Sequence, residues 1–142
     1  MDRNQLRTLA RIRLGDAKAL LGRKRWSAAY YLCGYSVECG FKACLLRHLG
    51  ESDAIFGDPD YLKHLSKCWT HNLVELVKLA GLDGPFGSSR GANSNLEYHW
   101  KITKDWNETS RYEEKTEADS RALYEAVSHN PDGVFRWIQS RW

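Results

Sequence analysis

The sequence has 142 residues, of which 42% are hydrophobic and 27% are charged. A chain of this length and composition can bury one hydrophobic core, which excludes a disordered polymer and predicts a single domain over residues 1–142. The apolar stretch 32–46 is interrupted by Glu38 and Lys42, so we expect no membrane span. Three prolines and eleven glycines leave long uninterrupted runs, which favours an all-α fold.

The first predicted helix, residues 4–22, is amphipathic and strongly basic. Residues 1–25 contain eight Lys and Arg and two Asp, which gives them a net charge of +6. The whole chain has a net charge of +3, so the other 117 residues have a net charge of −3. Such a face, with Arg7 and Arg11, suits phosphates or an acidic partner, and a solvated helix face is the alternative. No apolar segment with a small-residue cleavage site occurs near Met1, which favours a cytoplasmic location.

The second predicted helix runs from Trp26 or Ser27 to Leu49, with Gly50 at its C-terminal end. It is apolar on two opposite faces, which predicts a central position in a bundle, or a position between the bundle and another subunit. One face carries Tyr30, Cys33, Val37, Phe41 and Cys44, and the other carries Leu32, Cys39 and Leu46. Glu38 and Lys42 are one turn apart on a flank between these faces and are expected to form an ion pair.

The rest of the chain predicts several shorter helices. The expected helices cover 59–68, which begins at an Asp-Pro pair, then 71–81, 96–107 and 116–129, and finally a helix that begins at Pro131. Residues 83–95 are rich in Gly and Ser and are expected to form a loop, either a lid or a disordered stretch. The six tryptophans are expected to pack in the core or at an interface.

The four cysteines have no spacing typical of disulfide-linked secreted domains and are expected to be reduced. A zinc site is the alternative, because two Cys and His pairs have helical i, i+4 spacing. Its ligands would be Cys44, His48, His64 and Cys68. The sequence has no CxxC motif, so we expect neither a metal nor another cofactor.

The second helix resembles the signature helix of the HEPN superfamily. Residues 29–43 match its common pattern A-x-Y-L-x-G-Y-x-x-E-x-x-x-K-A, and weaker matches follow in order along the chain. These are His71-Asn72-Leu73, Trp106 with Ser110-Arg111-Tyr112, and residues 133–138. The resemblance implies an up-and-down α-helical bundle, here of four to six helices, that usually forms a homodimer. It also implies use in RNA processing or toxin–antitoxin pairs, often beside a nucleotidyltransferase partner.

Active ribonucleases of this family use an Arg followed after four to six residues by a His. This chain departs from the motif, because Thr116, Glu117 and Ala118 stand at those positions after Arg111. Metal-free RNA cleavage needs a proton donor or acceptor near neutral pH, and His suits that task best. The departure therefore favours a module without the standard ribonuclease activity.

The candidate site residues follow from these matches. Arg111, Glu38, Tyr112 and His71 are the catalytic candidates, while Arg111, Lys42, Arg7 and Arg11 are candidates for binding phosphate. Each has a structural alternative: an ion pair for Glu38 and Lys42, a helix start for His71, and packing for Tyr112. The expected function is an RNA-associated or partner-binding module. An endoribonuclease toxin with a non-standard acid-base residue and a structural adaptor are the alternatives.

Overall fold

A computed structural model describes residues 1–51, 60, 63 and 66–142. These residues form seven α-helices, two short 3-10 helices and no strand, which confirms the all-α prediction. Seven α-helices exceed the four to six expected, because residues 83–92 form an additional helix. The α-helices are α1 (Arg3–Gly22), α2 (Trp26–Glu51), α3 (Leu73–Leu79), α4 (Asp83–Ala92), α5 (Ser94–Thr103), α6 (Glu117–Ser128) and α7 (Val134–Gln139). The 3-10 helices span Ser66–Trp69 and Glu108–Tyr112.

Helix α2 is the central element, as its two apolar faces predict. It contacts α1, α3, α6, α7 and the second 3-10 helix. Cys33 and Val37 from one face and Cys39 from the other are all buried, while Leu32 and Leu46 are partly exposed. Burial on both faces explains why the helix lacks a polar half.

Side-chain caps fix the starts of several helices. Asn72 accepts a hydrogen bond from the backbone N–H of Glu75 at the start of α3. Thr116 and Asp119 form a capping box at the start of α6. Both caps satisfy backbone donors that have no partner within the helix.

The predicted loop over 83–95 is wrong. Residues Asp83–Ala92 form α4, and Asn93 then caps α5. Phe86 is fully buried, with ring centroids 4.9 Å from Trp100 and 4.4 Å from Trp137. Packing of this one aromatic residue stabilises a helix whose glycines give it low intrinsic propensity.

The predicted helix start at Pro131 is also wrong, because α7 begins at Val134 with Gly133 as its N-cap. Residues 130–133 form a turn that contains a cis peptide bond before Pro131. A Cβ atom on Gly133 would lie 2.6 Å from the carbonyl oxygens of Val127 and His129. Only glycine fits this close approach. The chain therefore turns at this position, and α7 begins after Gly133.

Two further predictions concern the polar segment after α2. Most of the predicted helix 59–68 lies outside the described residues, whose nearest element is the 3-10 helix Ser66–Trp69. Trp69 is 83% exposed, which contradicts the expected packing of every tryptophan, whereas Trp100, Trp106 and Trp142 are buried.

No helix in the described part of the chain is long and apolar enough to cross a membrane.

Candidate functional site

The carboxylate of Glu38 lies at the centre of a group of charged side chains. Only 2% of Glu38 is exposed. Lys42 Nζ donates to Glu38 Oε1 at 2.7 Å, which confirms the predicted ion pair. His71 Nδ1 lies 2.9 Å from Oε1 and 3.0 Å from Oε2 of the same carboxylate. A buried carboxylate needs such partners, because burial without them is costly.

The imidazole of His71 lies between two carboxylates. Its other ring nitrogen, Nε2, is 3.0 Å from Glu108 Oε2. A doubly protonated ring donates to both carboxylates, whereas a neutral ring donates to only one of them. We call Glu38, Lys42, His71 and Glu108 the His71 cluster. Sequence reasoning missed Glu108, since nothing local in the sequence indicates a contact with a residue 37 positions away.

An open cleft of about 460 Å³ lies beside His71 and Glu108. Its walls are residues 70–72 and 104–109. The indole of Trp106 is buried and packs directly on α2 at Gly34, where an added Cβ would lie 2.2 Å from the ring. Trp106 Nε1 has no hydrogen-bond partner among the described residues. Glycine at position 34 therefore allows the tryptophan to line this cleft.

Arg111 lies near the end of the 3-10 helix that begins with Glu108. Residues three apart in such a helix project to the same side, so Arg111 and Glu108 share a side. The guanidinium of Arg111 is 4.8 Å from the ring centroid of Tyr112, which is 79% exposed. The phenol of Tyr112 is the main cause that raises the pKa of Arg111, and hydrogen bonding with Tyr31 adds to it.

Two aromatic residues of α2 extend this surface. The rings of Tyr31 and Tyr35 are stacked, 6.2 Å apart and 6° from parallel. Tyr31 is also 5.9 Å from the ring of Trp106, which connects it to the cleft. We call Tyr31, Tyr35, Arg111 and Tyr112 the Arg111 surface.

Arg7 and Arg11 lie elsewhere on the molecule. Their guanidinium carbons are 5.7 and 4.8 Å from the ring of Trp142. A Cβ on Gly40 of α2 would touch the same ring at 3.7 Å. Gly40 and Lys42 project about 160° apart, because each residue of a helix turns by about 100°. The four phosphate-binding candidates therefore divide between two sides of α2.

The described part of the chain holds no group of three or more His, Cys, Asp or Glu side chains able to bind a metal ion. Of the zinc candidates, His64 lies outside the described residues. Burial raises the pKa of the Cys44 thiol to about 12, the opposite of what a thiolate ligand needs. The structure therefore gives the zinc alternative no support among the described candidates.

Comparisons of the chain with models of known protein families, with curated proteins and with solved structures gave no match.

Proposed function

We propose that the chain is a HEPN-like, RNA-associated module that binds single-stranded RNA through the Arg111 surface. The observation that carries the proposal is an arginine without a carboxylate partner among the described residues, placed among aromatic rings, of which Tyr31 contacts Trp106 in the cleft wall. Single-stranded RNA is bound by cationic groups that contact phosphates and by aromatic rings on which bases stack.

The electrostatic support comes from comparing Arg111 with other arginines of the described residues. Arg13, Arg90 and Arg121 each contact a carboxylate, at 2.8, 3.0 and 2.9 Å. The described residues place no carboxylate within ion-pair distance of Arg111; its neighbours are the phenols of Tyr112 and Tyr31. Its charge is therefore available to a phosphate, with which a guanidinium forms two parallel hydrogen bonds.

The aromatic support comes from Tyr112. Its exposed ring is a platform for a base, and base stacking on an aromatic side chain contributes about 1–3 kcal/mol. A tyrosine that served only to pack the core would be buried, as Trp106 is. The exposure of Tyr112 thus favours the stacking role over the packing role.

The test is a fluorescence anisotropy titration of a labelled 12-nucleotide RNA with purified protein. Arg111→Gln is expected to weaken binding at least tenfold, because it removes one phosphate contact and the partner that orients Tyr112. Arg121→Gln is the matched control, since it removes the same charge from an arginine that already pairs with Glu117. Equal affinities for both variants would refute the proposal.

The His71 cluster supports a second candidate, a ribonuclease with a non-standard acid-base residue. Glu38 holds Nδ1 of His71, as a carboxylate does when it fixes a catalytic imidazole, and Nε2 lies at the cleft. Once Glu108 has turned away from Nε2, the neutral Nε2 would take the proton of a ribose 2′-hydroxyl. The 2′-oxygen would then bond to phosphorus, the bond from phosphorus to the 5′-oxygen would break, and the leaving oxygen would gain the proton that His71 took from the 2′-hydroxyl.

RNA incubated with the protein in EDTA separates the two candidates. Cleavage that yields 2′,3′-cyclic phosphate ends and is lost in His71→Ala but not in the matched variant His129→Ala would establish the ribonuclease. Binding without cleavage would instead favour the RNA-associated module. His129 suits the control because its ring contacts His99 and the N–H of Asp132, away from the cleft.

The proposal also includes a homodimer formed through α2. Support comes from the apolar side chains Leu32 and Leu46, which are partly exposed on α2, whereas Cys33, Val37 and Phe41 of the same helix are buried. Light scattering coupled to size exclusion is expected to give twice the mass of the 16.4 kDa chain at micromolar concentration. A mass of one chain would contradict the dimer, and recovery with a nucleotidyltransferase partner would favour the adaptor alternative.

A further inference from the structure

A second cationic surface lies on the side of α2 away from Lys42. Arg3, Arg7 and Arg11 are spaced four residues apart on α1, so they form a line along one edge of the helix, about 6 Å apart. Arg141, in the chain's C-terminal segment, lies near the same edge. Burial raises the pKa of the Cys44 thiol, and the charges of Arg3 and Arg141, which both lie close to this thiol, partly oppose that increase. We call these four residues the arginine row.

The row is held in place by aromatic rings. Arg7 and Arg11 lie over Trp142, and Arg141 lies 5.1 Å from the ring centroid of Trp137. Contact with an indole restrains a long side chain while its guanidinium edge keeps its hydrogen-bond donors. Less conformational entropy is then lost when an anion binds.

The row is also not neutralised. None of its four arginines contacts a carboxylate within the described residues, whereas Arg13, next to the row in sequence, pairs with Asp16. The segments 3–15 and 133–142 contain no Asp or Glu. Positive charge without local compensation attracts polyanions.

We propose that the arginine row is a second RNA contact, which binds the phosphate backbone of a strand that also reaches the Arg111 surface or of a separate strand. This inference rests on the proposed RNA association. An acidic protein partner is less well matched, because arginine anchors of protein interfaces cluster with exposed aromatic anchors in desolvated pockets. The large apolar side chains exposed in the described residues are Met1, Ile12, Trp69, Val74, Tyr98 and Tyr112. Ile12 follows Arg11 on α1 but projects about 100° away from it around the helix.

The test uses two charge-matched double variants of the full chain. Arg7→Gln with Arg11→Gln removes two charges from the row, and Arg23→Gln with Arg25→Gln removes two from the turn between α1 and α2, whose arginines are exposed. Each phosphate contact to a single strand changes the slope of log affinity against log salt by about 0.7. The row variant is therefore expected to lose about 1.4 of that slope and to bind RNA about 25-fold more weakly at 0.1 M salt.

The turn variant is expected to stay within twofold of the unaltered chain. Equal losses in both double variants would show a response to net charge alone and would overturn the inference, as would no loss in either. An oligoglutamate of equal length that binds the row more tightly than RNA does would overturn it in favour of a protein partner. Circular dichroism melting of each variant controls for loss of fold, and Arg7→Lys with Arg11→Lys, which keeps both charges, should retain most of the salt slope.

Arg111→Gln, titrated in parallel, separates this inference from the proposed function. Loss of affinity in that variant alone would refute the arginine row and keep the Arg111 surface. Loss of affinity in the arginine-row variant alone would refute the Arg111 surface and keep the arginine row.

Discussion

The charged groups of the His71 cluster pair with one another, whereas those of the arginine row have no carboxylate partner among the described residues. In the His71 cluster, the carboxylate of Glu38 is buried and contacts Lys42 and His71, and Glu108 contacts the far side of the imidazole. In the arginine row, Arg11 and Arg141 are exposed and contact indole rings instead of carboxylates. Internal pairing fixes positions within a protein, whereas uncompensated charge is available to an external partner.

Of these two regions, only the His71 cluster suits proton transfer. His71 is held from both ring nitrogens and lies at the wall of a cleft, so its orientation is set before any ligand arrives. An arginine does not lose its proton near neutral pH, so the row can bind an anion but cannot act as an acid or base.

The largest expected effect is the loss of the central carboxylate of the His71 cluster. Glu38→Ala would leave Lys42 and His71 without their shared partner, and the free energy of unfolding should fall by about 3 kcal/mol. Glu117→Ala removes a carboxylate from an exposed pair with Arg121 and should cost less than about 1 kcal/mol. Urea denaturation measures both. Similar losses would show that burial does not distinguish the cluster from a surface pair.

The next effect concerns the contact of Trp106 with α2. Gly34→Ala would force a methyl group into the indole and should lower the free energy of unfolding by about 2 kcal/mol. Gly15→Ala, in the open middle of α1, is the control and should raise it by about 0.5–1 kcal/mol. A neutral or stabilising Gly34→Ala would mean that Trp106 does not pack at this glycine.

The smallest effect lies in the turn before α7, the helix that leads to Arg141 and Trp142. Asn93 and Asn95 donate to the carboxylate of Asp132 at 2.9 and 3.1 Å and lower its pKa below the ordinary value of 3.8. A lowered pKa in the folded chain stabilises the fold above that ordinary value, and the contribution is lost as pH falls through the lowered one.

Asp132→Asn should therefore lower the melting temperature at pH 7, and this decrease should shrink as pH falls below the lowered pKa, where the carboxyl is neutral in both states. Thermal melting followed by circular dichroism at pH 7 and at successively lower pH measures this difference. The same decrease at every pH would show that the charge of Asp132 does not contribute.

Local spacing predicts only the local part of this structure. The pair of Glu38 and Lys42 and the cap at Thr116 follow from residues three or four apart, and both are present. Glu38 and its partner His71 are 33 residues apart, and His71 and its partner Glu108 are 37 residues apart. Only the tertiary fold therefore reveals these contacts.

The helix over 83–92 was missed for the same reason. Its glycines argue against a helix, and the rings that bury Phe86 belong to Trp100 and Trp137, further along the chain. Long-range packing overrides low propensity in such a segment, so a local pattern predicts it poorly. The start of α7 depends likewise on the close approach of Gly133 to backbone atoms of α6 and the following turn.

A nuclear magnetic resonance titration of the ¹⁵N-labelled chain with a short single-stranded RNA tests the proposed function most directly. Backbone amides of residues 108–113 and 31–35, which carry the Arg111 surface, should shift with saturable dependence on RNA. Amides of α4, whose Phe86 is buried on another part of α2 near Phe41, should not move. Shifts confined to residues outside the Arg111 surface, or no shifts at all, would contradict the account.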